Sequence, residues 1–242
     1  MRILAVDSSA VSASCGIYDD KTIKSEFYMN IGLTHSQTLM PMVDAAVKYS
    51  SIDLDSVNYF AVSYGPGSFT GIRIGVAAVK GMAFAKNKKC IGISTLEAIA
   101  YNFCGYIDNV IICSSMDARR KQVYNALFEI NNGKVNRITE DRAISIENLK
   151  NELAGYDENI ILAGDGAVLC YELCKDLDNI ELSPENIRYQ RSYGVAAAAY
   201  EKVMNDENIA IDSSKLIPVY LRPSQAEREL KLKKINNIWK DV

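Results

Sequence analysis

The sequence predicts an α/β protein built as two related βββαβα lobes, and three observations carry that expectation. Two apolar runs, "RILAVD" and "NVIICSSMD", each end on a carboxylate, Asp7 and Asp117, and each is followed by a strand-like run that doubles back. After both openings, helix-period stretches alternate with short apolar strands, the pattern of a mixed sheet packed by helices. The plan restarts once near residue 105, and two copies indicate a duplication rather than a solenoid array. The expected boundaries are 1–104 for the N-terminal lobe and 105–189 for the C-terminal lobe, with the helix and tail of about 190–242 packing back on the first.

In the first lobe, "ASCGIYDDKTIKSEFYMN" reads as two strands joined at Asp19-Asp20-Lys21, which completes a three-strand meander. From Thr34 the apolar spacing shifts to Leu39, Met40, Val43, Ala46 and Val47, a helical period capped by Thr34 or Ser36. Pro41 falls early enough to bend that helix rather than end it. "YFAVSYGPGS" is a buried strand entering a glycine turn; a helix over 71–86, the strand "CIGIST" and a helix over about 95–103 follow. In the second lobe a strand alternates through Val123, Asn125, Leu127 and Glu129 and turns at Asn131-Asn132-Gly133. Helix, strand and helix come next in "IENLKNELAGY", "NIILAGDGA" and "AVLCYELCKDL". A helix near 194–204 and the basic tail "LRPSQAERELKLKKINNIWKDV" close the chain.

Composition narrows the function classes. Of 242 residues 48% are apolar, enough for a sizeable core, and 27 basic against 30 acidic residues leave a net charge of −3. That balance lacks the basic excess of a protein that grips nucleic acid unaided, so any RNA role requires a partner. Six scattered cysteines and one histidine predict a reduced, metal-free protein. The start "MRILAVDSS" has no basic region before a long apolar run, and no stretch approaches the roughly 20 apolar residues of a membrane span. The expectation is a cytoplasmic protein with no membrane partner.

Two lobes that each open with a strand delivering a carboxylate resemble the ASKHA fold shared by actin, hexokinase and the heat-shock ATPase domains. The resemblance implies that the opening hairpins grip phosphates and that a nucleotide lies between the lobes, near an Asp-x-Gly-x-Thr pattern. This chain has Asp7-Ser8-Ser9-Ala10-Val11, with the carboxylate and the hydroxyl of Ser9 but no glycine for close approach of a phosphate to the backbone. In the second lobe Asp117 is followed by Ala118, Arg119 and Arg120, two guanidiniums where small residues belong. They suit an acidic partner surface, or an inter-lobe salt bridge with Asp7. "LAGDGAV" offers one further glycine pair at a helix start, which alone is weak evidence for a ligand. Asp7, Ser9, Asp117, Arg119 and Arg120 therefore read as a degenerate cleft, with no cofactor expected on the isolated chain.

Catalytic alternatives have little support. His35 has Leu39 one helical turn on, where a second metal ligand would stand, so it reads as a helix-cap neighbour or an interface hydrogen-bonder. Ser68 lies in no G-x-S-x-G elbow. "GPGSFTG" is not a P-loop, because no Gly-Lys-Ser/Thr follows and Arg73 is the one nearby cation. The helix it opens is apolar nearly all round, with Gly71, Gly75, Ala78, Met82 and Ala85 on one small-residue stripe. One reading is a central helix packed on its own sheet. The other is an interface with a second protein, formed by His35, Leu39, Met40, Val43 and Val47 together with Phe69, Arg73, Gly75, Ala78 and Met82.

The motifs "DSS", "THSQTLMPMVD", "GPGSFTGIRIGVAAVKG", "MDARRKQVY" and "PVYLRPSQAE", in that order, resemble the TsaB family, also called YeaZ, over most of the chain. That resemblance implies the non-catalytic dimerisation subunit of the bacterial complex that makes threonylcarbamoyladenosine at position 37 of tRNAs reading codons that begin with A. It implies a catalytic paralogue, TsaD, as heterodimer partner and a TsaE-like ATPase docking on the pair, with ATP and a metal held by those partners. A homodimer in isolation is compatible with it, and tRNA would be met through the complex. In TsaD a His-x-x-x-His metal motif stands at the stretch matching His35 to Leu39, and glycines replace Arg119 and Arg120. The enzyme alternative is a small-molecule kinase or ATPase using Asp7 and Asp117 around Mg-ATP; a glycoprotease, the family's older label, has no catalytic group here.

Overall fold

The computed structural model describes residues 1–32 and 34–222; the tail motif beyond Arg222 lies outside the described residues. An antiparallel meander, β1 (Arg2–Asp7), β2 (Ala13–Asp19) and β3 (Thr22–Met29), opens the chain. Next come α1 (His35–Ser50), β4 (Tyr59–Gly65), α2 (Phe69–Ala85), β5 (Lys89–Ser94) and α3 (Thr95–Tyr101), the βββαβαβα order that the periodicity predicts. β4 joins β1 in parallel and β5 joins β4, giving the sheet order β3-β2-β1-β4-β5. Helix α1 runs through Pro41 without a break.

The second lobe comprises β6 (Val110–Asp117), β7 (Gln122–Asn131), β8 (Lys134–Arg137), β9 (Arg142–Ser145), α4 (Ile146–Leu153), β10 (Ile160–Ala163), α5 (Ala167–Cys174), β11 (Ile180–Leu182) and α6 (Glu185–Arg188). Its sheet order is β11-β10-β6-β7-β8, with β9 also on β7. Where the sequence suggests one third strand, the structure has two, and both pair with β7. The break between them is a tie between lobes: Asp141 accepts a 2.6 Å bond from Ser94 at the end of β5 and pairs with Arg137 at 2.6 Å. The chain then returns as α7 (Ser192–Asn205) to the first lobe. The topology, two sheets each begun by a meander and extended by parallel strands, is the two-lobe ASKHA fold.

Each face of the first sheet is covered by helices. Leu39, Val43 and Ala46 of α1 and Ile72, Val76 and Val79 of α2 close over Leu4, Val6, Phe60 and Val62, with all of these side chains buried. On the other face the small residues Ala196, Ala198 and Ala199 of α7 let it lie close on Ile3, Ala5 and Ile91. Helix α3 belongs to both lobes. Its Leu96, Ile99 and Ala100, with Phe103 just beyond, form one buried cluster with Ile112, Met116, Ala126 and Phe128 of β6 and β7.

Candidate functional site

The two opening hairpins face each other across a cleft of about 500 Å³. Its first-lobe wall is Ser9, Ala10, Val11 and the Gly67-Ser68 turn. The second-lobe wall is Met116, Asp117, Ala118, Arg119, Tyr124 and Asp165. Asp7, expected here from its place at the end of β1, is not on the wall. It is fully buried, and both its oxygens are taken: Ser9 donates through its amide (3.0 Å) and hydroxyl (2.9 Å) to Oδ1, and Ser63 of β4 donates to Oδ2. Burial pushes its pKa up, with the three hydrogen bonds opposing.

Of the two readings of Arg119 and Arg120, the salt bridge with Asp7 does not form, for a local reason. Arg119, Arg120 and Lys121 take φ values of 65°, 56° and 56°, a left-handed turn that throws their side chains outward. Arg119 is 86% exposed, its amide donates to Asp117 Oδ1 at 2.7 Å, and its guanidinium reaches the same carboxylate at 3.6 Å. Arg120 is exposed and lies off the cleft wall. The amide that a phosphate would need is thus turned onto the hairpin's own Asp117.

The "GPGSFTG" loop has a role that sequence reasoning missed. Ser68 donates its amide to the Ser9 carbonyl at 2.7 Å, and Ser8 Oγ donates to the Gly71 carbonyl at 2.9 Å. A Cβ on Gly67 would come within 2.3 Å of the Ser9 carbonyl oxygen, one on Gly71 within 2.1 Å of the Ser8 carbonyl oxygen, and one on Gly75 within 2.4 Å of Ser8 Oγ. These glycines let the β1–β2 turn lie directly against the start of α2. Main-chain contacts thus fix the β1–β2 turn on α2, and Asp7 is sealed beneath that turn rather than offered to the cleft.

Asp165, between β10 and α5, is the cleft residue that sequence reasoning left unassigned. It is mostly buried, accepts 2.8 Å from Gln190 Nε2, and burial pushes its pKa up to about 6, with the charges of Asp117 and Asp7 adding to the rise. The duplication was the available signal, since "GDG" holds the place in the second lobe that the strand-to-helix glycine turn before α2 holds in the first.

The second candidate surface is the outer face of α1 and α2. Here the small stripe is out of phase with expectation. Leu39 and Val43 are buried under α1 and Gly75 under α2, so these three are core residues. Val47, Phe69, Ala78 and Met82 are half-buried at the margin. The outward face of α2 instead carries Thr70, Arg73, Ala77, Gly81 and Phe84, with Phe84 81% exposed and open space around Gly81. On α1, Met40 is 47% exposed beside Pro41. Arg73 is held rather than free: its guanidinium lies 3.9 Å from the centre of the Phe69 ring and its Nε donates to Tyr220 at 2.8 Å. His35, first in α1, has Nε2 at 2.7 Å from the Ala10 carbonyl, joining the helix to the cleft hairpin.

Known proteins match this chain over most of its length. The family model described as TsaD, tRNA N6-adenosine threonylcarbamoyltransferase, matches residues 31–230. A Bacillus subtilis protein named tRNA threonylcarbamoyladenosine biosynthesis protein TsaB is 27% identical over 232 residues, covering 94% of this chain and 96% of that one. A protein of the same name from Buchnera aphidicola is 31% identical over 166 residues, covering 68% and 78%. Among solved structures, YeaZ from Pseudomonas aeruginosa superposes with a TM-score of 0.78 at 23% identity over 91% of this chain and 99% of that one.

Proposed function

This chain belongs to the TsaB (YeaZ) family, and on that premise we propose that it is a non-catalytic subunit in the synthesis of threonylcarbamoyladenosine on tRNA, docking a TsaD-like paralogue through the outer face of α1 and α2. The observation that carries the reading is that face: two adjacent helices, already packed on their own sheet, present Met40, Ala77, Gly81 and Phe84 outward, apolar and small enough for a second pair of helices to approach closely. The sealed Asp7 and the main-chain contact at Gly71 support placing ATP, the metal and the catalytic groups on the partners. In this reading a TsaE-like ATPase joins the assembled pair, tRNA is met through the complex in the cytoplasm, and the same face forms a homodimer when the paralogue is missing. Among the described residues no helix is long and apolar enough to cross a membrane.

The test is co-purification with the organism's own TsaD-like protein, followed by tRNA modification with and without this chain. Ala77→Trp and Gly81→Trp should weaken the pair roughly 10- to 100-fold, because forcing a large residue into a packed contact costs about 1–3 kcal/mol. Both sites are outward, so the lone chain should still melt cooperatively within a few degrees of the parent, the small difference reflecting helix propensity. Unchanged affinity would place the interface elsewhere, and Mg-dependent ATP turnover by the lone chain that disappears in Asp7→Asn would overturn the non-catalytic assignment.

A further inference from the structure

The tip of the β6–β7 hairpin carries three successive cations, Arg119, Arg120 and Lys121, that neither the lobe cores nor the α1–α2 face uses. All three are left-handed, with φ of 65°, 56° and 56°, a conformation that residues with a Cβ adopt reluctantly and rarely in succession. Four hydrogen bonds hold the turn there. The Arg119 amide donates to Asp117 Oδ1 (2.7 Å), the Ala118 amide to the Gln122 carbonyl (3.0 Å), the Gln122 amide to the Arg119 carbonyl (3.2 Å) and the Ile146 amide to the Lys121 carbonyl (3.2 Å). Folding therefore fixes the direction in which these side chains leave the turn before any partner arrives. Backbone strain retained at an exposed tip points to a contact made there.

Charge says what that contact is. Arg119 is matched by Asp117, but Arg120 and Lys121 are exposed and neither forms an ion pair among the described residues. Arg222 reaches the same hairpin from the end of the fold, its guanidinium donating to neutral oxygens, the Ala118 carbonyl at 3.4 Å and Gln122 Oε1. Arg120, Lys121 and Arg222 thus place unmatched positive charge at one point of a chain whose net charge is −3. No residue from Asp117 to Tyr124 is an exposed large apolar side chain. A protein interface needs a dry centre with its charges at the rim, which the hairpin lacks, whereas a phosphodiester backbone is held by cations alone. We propose, on the premise that the chain is a subunit in tRNA modification, that this hairpin contacts the phosphate backbone of the tRNA through Arg120 and Lys121, with Arg222 adding to the field. So few phosphate contacts cannot hold RNA unaided, and they act as one part of the surface that the assembled complex presents.

The test uses the complex of this chain with the organism's TsaD-like protein and an unmodified tRNA transcript, with affinity followed across about 50–300 mM KCl. Arg120→Asn/Lys121→Asn removes both charges and keeps residues that tolerate a left-handed turn. The variant complex should bind tRNA about ten-fold more weakly at the middle of that range, and the slope of log affinity against log salt should become shallower by about two. Arg120→Lys keeps the charge and should stay within about two-fold of the parent. Should the Asn pair disturb the fold, cross-linking on the unaltered complex decides: tRNA carrying 4-thiouridine should couple to the peptide that holds residues 118–124, and couplings confined to other peptides would overturn the proposal. Parental tRNA affinity and slope in the Asn variant would overturn it while leaving the subunit reading intact. A loss that appears instead in affinity for the TsaD-like protein or a TsaE-like ATPase, measured without RNA, would make the ligand an acidic protein surface and overturn it as well. A pair that does not assemble, or that binds no tRNA, overturns the subunit reading and this contact together.

Discussion

Asp7 is a carboxylate that no water reaches. Because burial disfavours its charge, the folded chain holds this proton more tightly than the unfolded chain does. The stability it contributes is full below the ordinary value of 3.8 and is lost as pH rises through the raised folded-state value. Asp7→Asn removes that dependence, so urea midpoints of parent and variant should diverge in the variant's favour as pH rises from about 4 to about 8. A constant difference across that range would mean that Asp7 titrates as an exposed acid. The sequence made Asp7 legible as a carboxylate at a strand end. It could not make legible the arrival of Ser63 from the parallel neighbour β4, which lies 56 positions on and turns the residue from a cleft acid into a buried structural one. Asp165 failed to register for the complementary reason: its environment comes from Gln190 and Asp117, each far away in sequence.

At the scale of the element, α2 puts glycines to opposite uses. Gly71 presses on the Ser8 carbonyl, and Gly71→Ala should destabilise the lone chain by about 1–3 kcal/mol, since main chain must move to admit the methyl group. Gly81 faces open space, and Gly81→Ala should stabilise it by about 0.5–1 kcal/mol through helix propensity. Denaturant unfolding of both variants checks the contrast, and equal effects would sink the assigned orientation of the helix. The spacing of apolar and small residues revealed that α2 is a helix covered on more than one side. It did not reveal the phase, because a stripe of small residues looks the same whether it admits a partner helix or, as at Gly71 and Gly75, the protein's own β1–β2 turn. Only Ser8, more than sixty positions away in the chain, decides between these.

At the scale of the whole molecule the duplication was readable, since both lobes begin with the same strand, carboxylate and hairpin. What it concealed is that α3 supplies core to both. Phe103 is 1% exposed within the cluster that joins Leu96 and Ile99 to Ile112 and Phe128, so Phe103→Ala should cost about 3–5 kcal/mol and weaken both lobes together. Calorimetry should give one transition for parent and variant, with equal calorimetric and van't Hoff enthalpies; two resolved transitions would mean the lobes unfold independently. This shared core, reinforced by the Ser94–Asp141 bond, also has a kinetic consequence. A clamp that must open or shut before it engages imposes a waiting step on every encounter, whereas lobes joined through one apolar core meet a partner already in their binding shape. Association should therefore follow a single exponential whose rate rises linearly with partner concentration, without the plateau of a slow preceding isomerisation, and stopped-flow mixing reads the difference directly.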